Sequence, residues 1–220
     1  MILRNLKGIS ELNIPSTLLK KISRSQIPMI IIDDNKFEYQ ELLLHHEFNI
    51  KHVEDIDAIN FVNDYEVILC DINGVGKKFG SRFDGAHLIK EIRKKYPFKY
   101  IIAYTGHTHD PSYTKYLKKA DTVINKDISL EEWIEELDTA INNTINPNLK
   151  WLKIRSYLIE NKVELELVAK LEDEYVRAII LNKDLTNFPQ NRSKKRLSTE
   201  ITEILISFSR SIIFRLLFHS

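Results

Sequence analysis

Short apolar runs alternate with amphipathic segments along the first two thirds of the chain. Runs rich in Ile and Val, bounded by polar residues, predict strands buried on both faces of a parallel sheet. The segments between them, with apolar residues at helical spacing, predict crossover helices. The predicted strands span 29–33, 51–53, 66–70, 100–104 and 121–125, and the predicted helices span 37–46, 58–62, 85–96, 112–118 and 130–145. This alternation predicts an α/β fold, a doubly wound five-stranded parallel sheet of flavodoxin-like order.

The segments on either side of this alternation are expected to form separate parts. Residues 1–27 predict an N-terminal extension with one short helix that begins near Ser16. Asn146-Pro147-Asn148 marks a boundary, because proline disfavours helix in the residue before it. Beyond it we expect a helical region over 148–220 that serves output or interaction. Its predicted elements are helices over 149–160 and 163–181, a polar basic linker over 189–196, and a third helix from Ser198 with one broad apolar stripe.

Composition narrows the class of protein without naming a partner. The 220 residues are 43% apolar and 29% charged, which is typical of a globular protein with a sizeable core. A formal net charge of +1 gives no sign of nucleic-acid or membrane-surface binding. A single cysteine, Cys70, excludes an intrachain disulfide. With no long apolar stretch, we expect a cytoplasmic protein without a membrane span.

Acidic residues follow two of the predicted strands, at the point where each apolar run stops. Asp33 and Asp34 follow the first strand, and Asp71 follows the third. The carboxyl ends of parallel strands meet at one edge of a sheet, so three carboxylates should gather there. Such an oxygen-rich cluster suits Mg²⁺. Thr105 and Lys126 end two further strands, and together with the metal they would form a site for a phosphoryl group, with Asp71 as the candidate nucleophile.

The order Asp33-Asp34, Asp71, Thr105, Lys126 resembles the receiver domain of two-component response regulators. The similarity covers roughly residues 28 to 145, so we expect a receiver domain over 28–146. The pair Asp84-Gly85 also falls where many receivers carry Asp-Gly.

The resemblance implies a function, a cofactor and partners. Asp71 would accept a phosphoryl group from a histidine kinase or a phosphotransfer protein, so the chain would be an acceptor and not a turnover enzyme. Mg²⁺ would be held by Asp71, by Asp34 directly, by Asp33 mainly through water, and by the backbone carbonyl of Asn73. Thr105 and Lys126 would contact the phosphoryl oxygens. The helical region would carry the signal, and a homodimer through its helices is one way to do so.

Two departures from the receiver pattern keep an alternative open. Val123 stands where receivers usually carry an aromatic ring that reports phosphorylation, and Asp127 stands where proline usually follows the lysine. The alternative is a receiver-like scaffold, a protein-interaction module with little or no phosphorylation. A phosphatase of the haloacid-dehalogenase type is disfavoured, because it would need an aspartate at the position of Asn73.

Two loops beside the predicted site have no assigned chemistry. Residues 74–81 contain three glycines but fit neither common nucleotide-binding motif, so we interpret them as a lengthened loop over the pocket. Residues 107–110, His-Thr-His-Asp, are interpreted as a solvated loop and not a transition-metal site, because no second ligand cluster at suitable spacing accompanies them.

Overall fold

A computed structural model describes residues 6–13, 22–80, 83–106 and 113–218. Two predicted features lie outside the described residues, namely the short helix near Ser16 and the loop at 107–110.

Five parallel strands form one sheet in the order β2-β1-β3-β4-β5. The strands are β1 (Pro28–Ile32), β2 (Asn49–Val53), β3 (Val67–Asp71), β4 (Tyr100–Thr105) and β5 (Thr122–Asn125). This is the flavodoxin-like order that the alternation of elements predicted, and the predicted fold class is confirmed. Each observed strand lies within two residues of its predicted bounds.

Burial differs between the central and edge strands in the way that a covered parallel sheet requires. Every residue of β3 and β4 is buried, and so is all of β1 after Pro28. The edge strand β2 has a single buried residue, and β5 has only half-buried and exposed ones. Strands that are covered on both faces have continuous apolar sequences. The three central strands were therefore the easiest to predict from the sequence.

Helices connect the strands and cover the sheet. They are α1 (Gln40–His45), α2 (Asp84–Lys95), α3 (Thr114–Leu117) and α4 (Leu130–Ile145). In α4 the buried residues Trp133, Leu137, Ala140 and Ile141 recur at helical spacing and form its inner face. The helix predicted over 58–62 is instead a 3-10 turn, Ile59–Val62, so the prediction of an α-helix there was wrong. Five residues separate Val53 from Ile59 and four separate Val62 from Val67, so the connection leaves room for only a short helical turn.

The helical region contains more elements than the three predicted. It consists of α5 (Pro147–Glu160), α6 (Leu165–Ile180), α7 (Asn191–Lys194), α8 (Thr199–Ser209) and α9 (Ile212–Phe218). Helix α5 begins at Pro147 itself, because proline suits the first helical position and the Asn146 side chain caps the amides of Asn148 and Leu149.

The apolar stripe that predicted one continuous last helix is divided between α8 and α9. The break falls at Arg210, whose amide reaches the carbonyls of both Ile206 and Ser207, and at Ser211, whose hydroxyl contacts the buried Lys150 ammonium. The stripe itself is buried, as Leu205, Phe208, Ile213 and other members show. Packing within the same chain therefore covers it.

The described chain divides into two compact units. The sheet unit comprises residues 23–95 and 99–144. The helical unit comprises the described residues up to Ile22, the short segment Tyr96–Phe98, and the chain from Ile145 onward. The core of the helical unit is aromatic: the rings of Trp151 and Tyr175 stack with centroids 4.9 Å apart, and Phe208 contacts both.

Candidate functional site

Three carboxylates meet at the carboxyl edge of the sheet. Asp33 directly follows β1 and Asp71 ends β3, and these two strands are paired in register with Ile32 opposite Cys70. One oxygen each from Asp33, Asp34 and Asp71 lie within 4.8 Å of one another. Asp33 and Asp71 are buried, whereas Asp34 is exposed. The structure thus brings together the acidic residues that the strand ends predicted, with one of them open to solvent.

A lysine ammonium lies between the two buried carboxylates. Lys126 follows β5, which is separated from β3 by β4, so its long side chain reaches across one strand. Its Nζ donates to Asp71 Oδ2 at 2.6 Å and to Asp33 Oδ2 at 2.8 Å. Two carboxylates held this close would repel each other, and the ammonium offsets that repulsion.

The two buried carboxyl groups differ in acidity. Burial acts to raise the pKa of Asp33, but hydrogen bonds from Lys126, the amide of Asn35 and the hydroxyl of Tyr104 outweigh burial, so its pKa is lowered. Burial raises the pKa of Asp71, and the opposing hydrogen bonds from Lys126 and the amide of Asn73 are too weak to cancel it. The difference follows from the donors: Asp33 has one more than Asp71. Asp71 is therefore the more basic carboxylate of the pair.

Lys126 stays protonated in this setting. Burial acts to lower its pKa, but the hydrogen bonds to Asp33 and Asp71 outweigh burial, and its pKa is raised. The site therefore holds a permanent positive charge beside its most basic carboxylate.

Tyr104 is a member of the site that the sequence reading missed. Its hydroxyl donates to Asp33 Oδ2 at 3.0 Å, and its ring lies 5.0 Å from the Lys126 ammonium. Burial and the neighbouring carboxylate Asp33 raise its pKa well above the usual value, so the phenol remains a donor. Its position inside an apolar strand gave no sign of a polar role.

Asn73 connects the acidic cluster to the hydroxyl at the end of β4. Its backbone amide donates to Asp71 Oδ1 at 3.2 Å, and its side-chain amide donates to Thr105 Oγ1 at 3.1 Å. Thr105 is buried, and its carbonyl accepts from the Lys126 amide at 3.0 Å. The residues that the motifs selected, Asp71, Thr105 and Lys126, thus converge on one place. Their roles in phosphoryl transfer remain a prediction.

The donor set fits a hard divalent cation. Carboxylate oxygens are the ligands that Mg²⁺ prefers, and three of them lie within reach of a single ion. Gly74 leaves room for the exposed member: a side chain there would meet the Asp34 carboxylate at 2.3 Å. Asp34, Asp71 and Asp33 are therefore the residues that would hold the metal.

Asp55, which no sequence motif indicated, holds the glycine-containing loop (residues 74–80) through hydrogen bonds to its backbone. The carboxylate of Asp55 accepts from the amide of Gly76 at 2.7 Å and from the amide of Lys78 at 3.0 Å. This places the Lys77 ammonium 3.7 Å from Asp34 Oδ2. An aspartate after an edge strand is unremarkable in sequence, so its partners could not have been predicted.

Asp33 and Asp34 do not cap the helix that follows β1. The first helix after β1 begins at Gln40, and Asp33 Oδ1 instead accepts from the amide of Asn35 at 2.9 Å. Val123, where receivers usually carry an aromatic ring, lies on β5 with 45% of its surface exposed.

No family model matches the chain, and no curated protein matches it. Solved structures do. A CheY-like response regulator receiver domain protein from Methanospirillum hungatei is 15% identical, with 54% of this chain and 95% of that chain covered and a TM-score of 0.46. The receiver domain of NtrX from Brucella abortus is 22% identical, with coverages of 52% and 98% and a TM-score of 0.42. A response regulator from Burkholderia pseudomallei, solved with a phosphorylated aspartic acid, calcium ion and citrate, is 20% identical, with coverages of 71% and 93% and a TM-score of 0.42.

The chain has the flavodoxin-like sheet order that the resemblance to receiver domains implied, so the predicted fold is confirmed. With identities below 25% and TM-scores below 0.5, the likeness says nothing about chemistry, which has to come from the site itself. In the part of the chain that the structure describes, no helix has both the length and the apolar character of a membrane span.

Proposed function

We propose that this chain is a phosphoacceptor of the response-regulator type, which takes a phosphoryl group on Asp71 from a partner histidine kinase or phosphotransfer protein. The observation that carries the proposal is the position of Lys126, whose ammonium contacts both Asp71 and Asp33 at the edge where Thr105 also ends its strand. A basic carboxylate beside a fixed positive charge and a hydroxyl is what phosphoryl transfer to an aspartate requires.

The transfer would be an in-line displacement. A carboxylate oxygen of Asp71 forms a bond to phosphorus while the bond between phosphorus and the donor imidazole nitrogen breaks, and the imidazole leaves with that electron pair. Negative charge on the three phosphoryl oxygens is met by the Lys126 ammonium, which can move from the carboxylates to the incoming group. The Thr105 hydroxyl donates to another oxygen. When bound to the carboxylate cluster, Mg²⁺ would neutralise part of the same charge.

In this proposal each chain accepts a phosphoryl group and does not turn over a substrate. The phosphoryl group stays on Asp71 as an acyl phosphate, and the helical unit would carry the resulting signal. Occupied and empty sites would favour different conformations, which is a shift of population that a partner can detect. A homodimer through the C-terminal helices and a cytoplasmic location remain predictions.

The test is phosphorylation by a small donor. The full chain is incubated with Mg²⁺ and phosphoramidate, and its intact mass should increase by one phosphoryl group. Asp71→Asn should abolish the increase. The matched control is Asp127→Asn, which removes the same charge from an exposed residue next to Lys126 and should leave the adduct in place. An adduct that persists in Asp71→Asn would place the chemistry elsewhere.

A scaffold without phosphorylation is a second candidate, which the exposed Val123 favours. Without a ring at this position, the usual signal from the site to the neighbouring surface has no carrier. Thermal unfolding with and without Mg²⁺ and beryllofluoride separates the two functions. A phosphoacceptor should gain stability from both additions, and a scaffold should gain from neither.

A further inference from the structure

The glycine-containing loop brings a second ammonium to the carboxylate cluster. Lys77 Nζ lies 3.7 Å from Oδ2 of Asp34, within the range of an ion pair. Lys126 contacts the two buried carboxylates, Asp33 and Asp71. The exposed carboxylate of the cluster is therefore paired with a different lysine from the buried ones.

One carboxylate fixes the backbone on both sides of Lys77. Asp55 accepts from the amide of Gly76 at 2.7 Å through Oδ1 and from the amide of Lys78 at 3.0 Å through Oδ2. Its Oδ1 also accepts from the amide of Ile56 at 2.9 Å, which orients the carboxylate. The point from which the Lys77 side chain starts is thus held in place.

The beginning of the loop is packed against Asp34. A Cβ atom built at Gly74 would lie 2.3 Å from Oδ2 of Asp34, so the backbone of the loop passes directly beside this carboxylate. Val75, the next residue, is completely buried and anchors the chain at this point. The loop therefore meets Asp34 twice, with its backbone at Gly74 and with the ammonium of Lys77.

We propose that Lys77 and a divalent cation compete for the Asp34 carboxylate, so that the glycine-containing loop sets how tightly the site binds Mg²⁺. The inference rests on the proposed function in one respect, the use of the carboxylate cluster as the metal site. Asp34 is the exposed member of that cluster, and a cation that arrives from solvent meets the Lys77 ammonium at this ligand. Like charges at one carboxylate repel each other, so the ammonium has to leave when the cation binds.

The ion pair should affect cation binding more than it affects folding. An exposed pair such as Lys77 and Asp34 contributes little to the free energy of unfolding, because solvent screens it. A divalent cation carries twice the charge of an ammonium, and its repulsion from Lys77 is correspondingly stronger than the attraction within the pair. The effect of Lys77 is therefore measured on Mg²⁺ affinity.

Isothermal titration calorimetry with MgCl₂ as the only ligand tests the competition. The full chain is titrated without a phosphoryl donor at an ionic strength of about 0.1 M, where charges more than about 10 Å apart are largely screened. Lys77→Met should bind Mg²⁺ about 3- to 10-fold more tightly than the unchanged chain. Equal affinities of the two chains, or no Mg²⁺ binding by either, would overturn the proposal.

The matched control removes the same charge from the next residue of the loop. Lys78 is exposed, and within the described part of the chain no ion pair joins it to Asp34. Lys78→Met should leave the Mg²⁺ affinity within about twofold of the unchanged chain. An equal gain in Lys77→Met and Lys78→Met would mean only a general effect of charge and would overturn the proposal.

Asp55→Ala separates the proposal from simple electrostatics, because the two predict changes of opposite sign. Loss of a carboxylate close to the loop would by charge alone weaken cation binding. Release of the loop should instead move Lys77 away from Asp34, and we expect Mg²⁺ to bind about two- to fivefold more tightly. The double variant K77M/D55A should bind no more tightly than Lys77→Met. Weaker binding in Asp55→Ala, or an equal gain from this change with and without Lys77, would contradict the competition.

The calorimetry can fail or succeed independently of the phosphorylation test. If no adduct forms on Asp71 but Lys77→Met binds Mg²⁺ more tightly, the proposed function is wrong and the competition at Asp34 is supported. If the adduct forms and Lys77→Met leaves the Mg²⁺ affinity unchanged, the competition is wrong and the proposed function is supported.

Discussion

At the scale of single residues, the site depends on one ammonium that serves two carboxylates. Lys126 touches Asp33 and Asp71, and its own exposure is modest, with 26% of the side chain accessible. The hydroxyl of Tyr104 adds a donor to Asp33 only. This asymmetry leaves Asp71 as the carboxylate with the raised pKa, and it is the residue to which the proposal assigns the nucleophile.

Loss of the ammonium should therefore destabilise the protein. Lys126→Met leaves two buried carboxylates without their shared counter-ion, and we expect the free energy of unfolding to fall by about 1–3 kcal/mol. Urea denaturation in EDTA measures the change. Lys36→Met, at an exposed lysine close to the acidic pair in sequence, should change the free energy of unfolding by less than about 0.5 kcal/mol. Equal stability of the two variants would show that the ammonium is not needed to offset the carboxylates.

The hydroxyl of Tyr104 permits a finer test. Tyr104→Phe removes a buried hydrogen bond to Asp33 without changing the packing, and it should lower the free energy of unfolding by about 1 kcal/mol. Tyr116→Phe removes a hydroxyl on a half-buried ring away from the carboxylates and should have a smaller effect in the same urea titration. If Tyr104→Phe left the free energy of unfolding unchanged, the Tyr104 hydroxyl would not stabilise the Asp33 carboxylate.

At the scale of elements, the start of α2 is pressed against the end of β3. Gly85 lies so close that a Cβ atom built there would be 1.8 Å from the carbonyl oxygen of Asp71. The chain can place Asp71 beside the start of a helix only because this position has no side chain. The same approach explains why Asp84-Gly85 accompanies the acidic motif.

Gly85→Ala should consequently shift β3 or the start of α2. We expect a loss of at least about 1–3 kcal/mol in the free energy of unfolding, because backbone must move to admit the methyl group. Gly106→Ala is the control, since among the described residues a Cβ atom there would meet nothing nearer than the Lys126 side chain at 3.9 Å. Chemical denaturation measures the free energy of unfolding of both variants. A larger loss in Gly106→Ala than in Gly85→Ala would contradict the close approach of Gly85 to Asp71.

The loop over the site should depend on Asp55 in a similar way. Asp55→Ala leaves the amides of Gly76 and Lys78 without their acceptor, so their hydrogen exchange should become faster while exchange in β3 is unchanged. Asp57→Ala, at an exposed neighbour, should leave exchange in the loop as it was. Unchanged exchange in Asp55→Ala would show that the loop is held by other contacts.

At the scale of the whole molecule, each unit carries one of the two tryptophans. Trp133 is buried in the sheet unit and Trp151 in the helical unit, so Trp133→Phe and Trp151→Phe give chains in which fluorescence reports a single unit. Phe208→Ala removes a ring at the centre of the aromatic cluster and should lower the free energy of unfolding by about 3–5 kcal/mol. We expect the unfolding midpoint reported by Trp151 to fall more than that reported by Trp133. Equal falls would show that the two units unfold as one.

Sequence patterns predicted the sheet unit better than the helical unit, for physical reasons. Strands buried on both faces have a simple signature, and their carboxyl ends place Asp33, Asp71 and Lys126 in one site without further information. The break at Arg210 depends on contacts between residues far apart in sequence, which periodicity does not encode. Asp55 and Tyr104 were missed for the same reason: only tertiary contacts give them a role.

A crystal structure of the full chain with Mg²⁺ and beryllofluoride tests the acceptor site most directly. We predict beryllium bonded to a carboxylate oxygen of Asp71, with the Lys126 ammonium and the Thr105 hydroxyl on its fluorides and the metal on Asp34 and Asp71. Beryllofluoride bound at another carboxylate, or excluded from this edge of the sheet while Lys126 remains between Asp33 and Asp71, would contradict the proposed function.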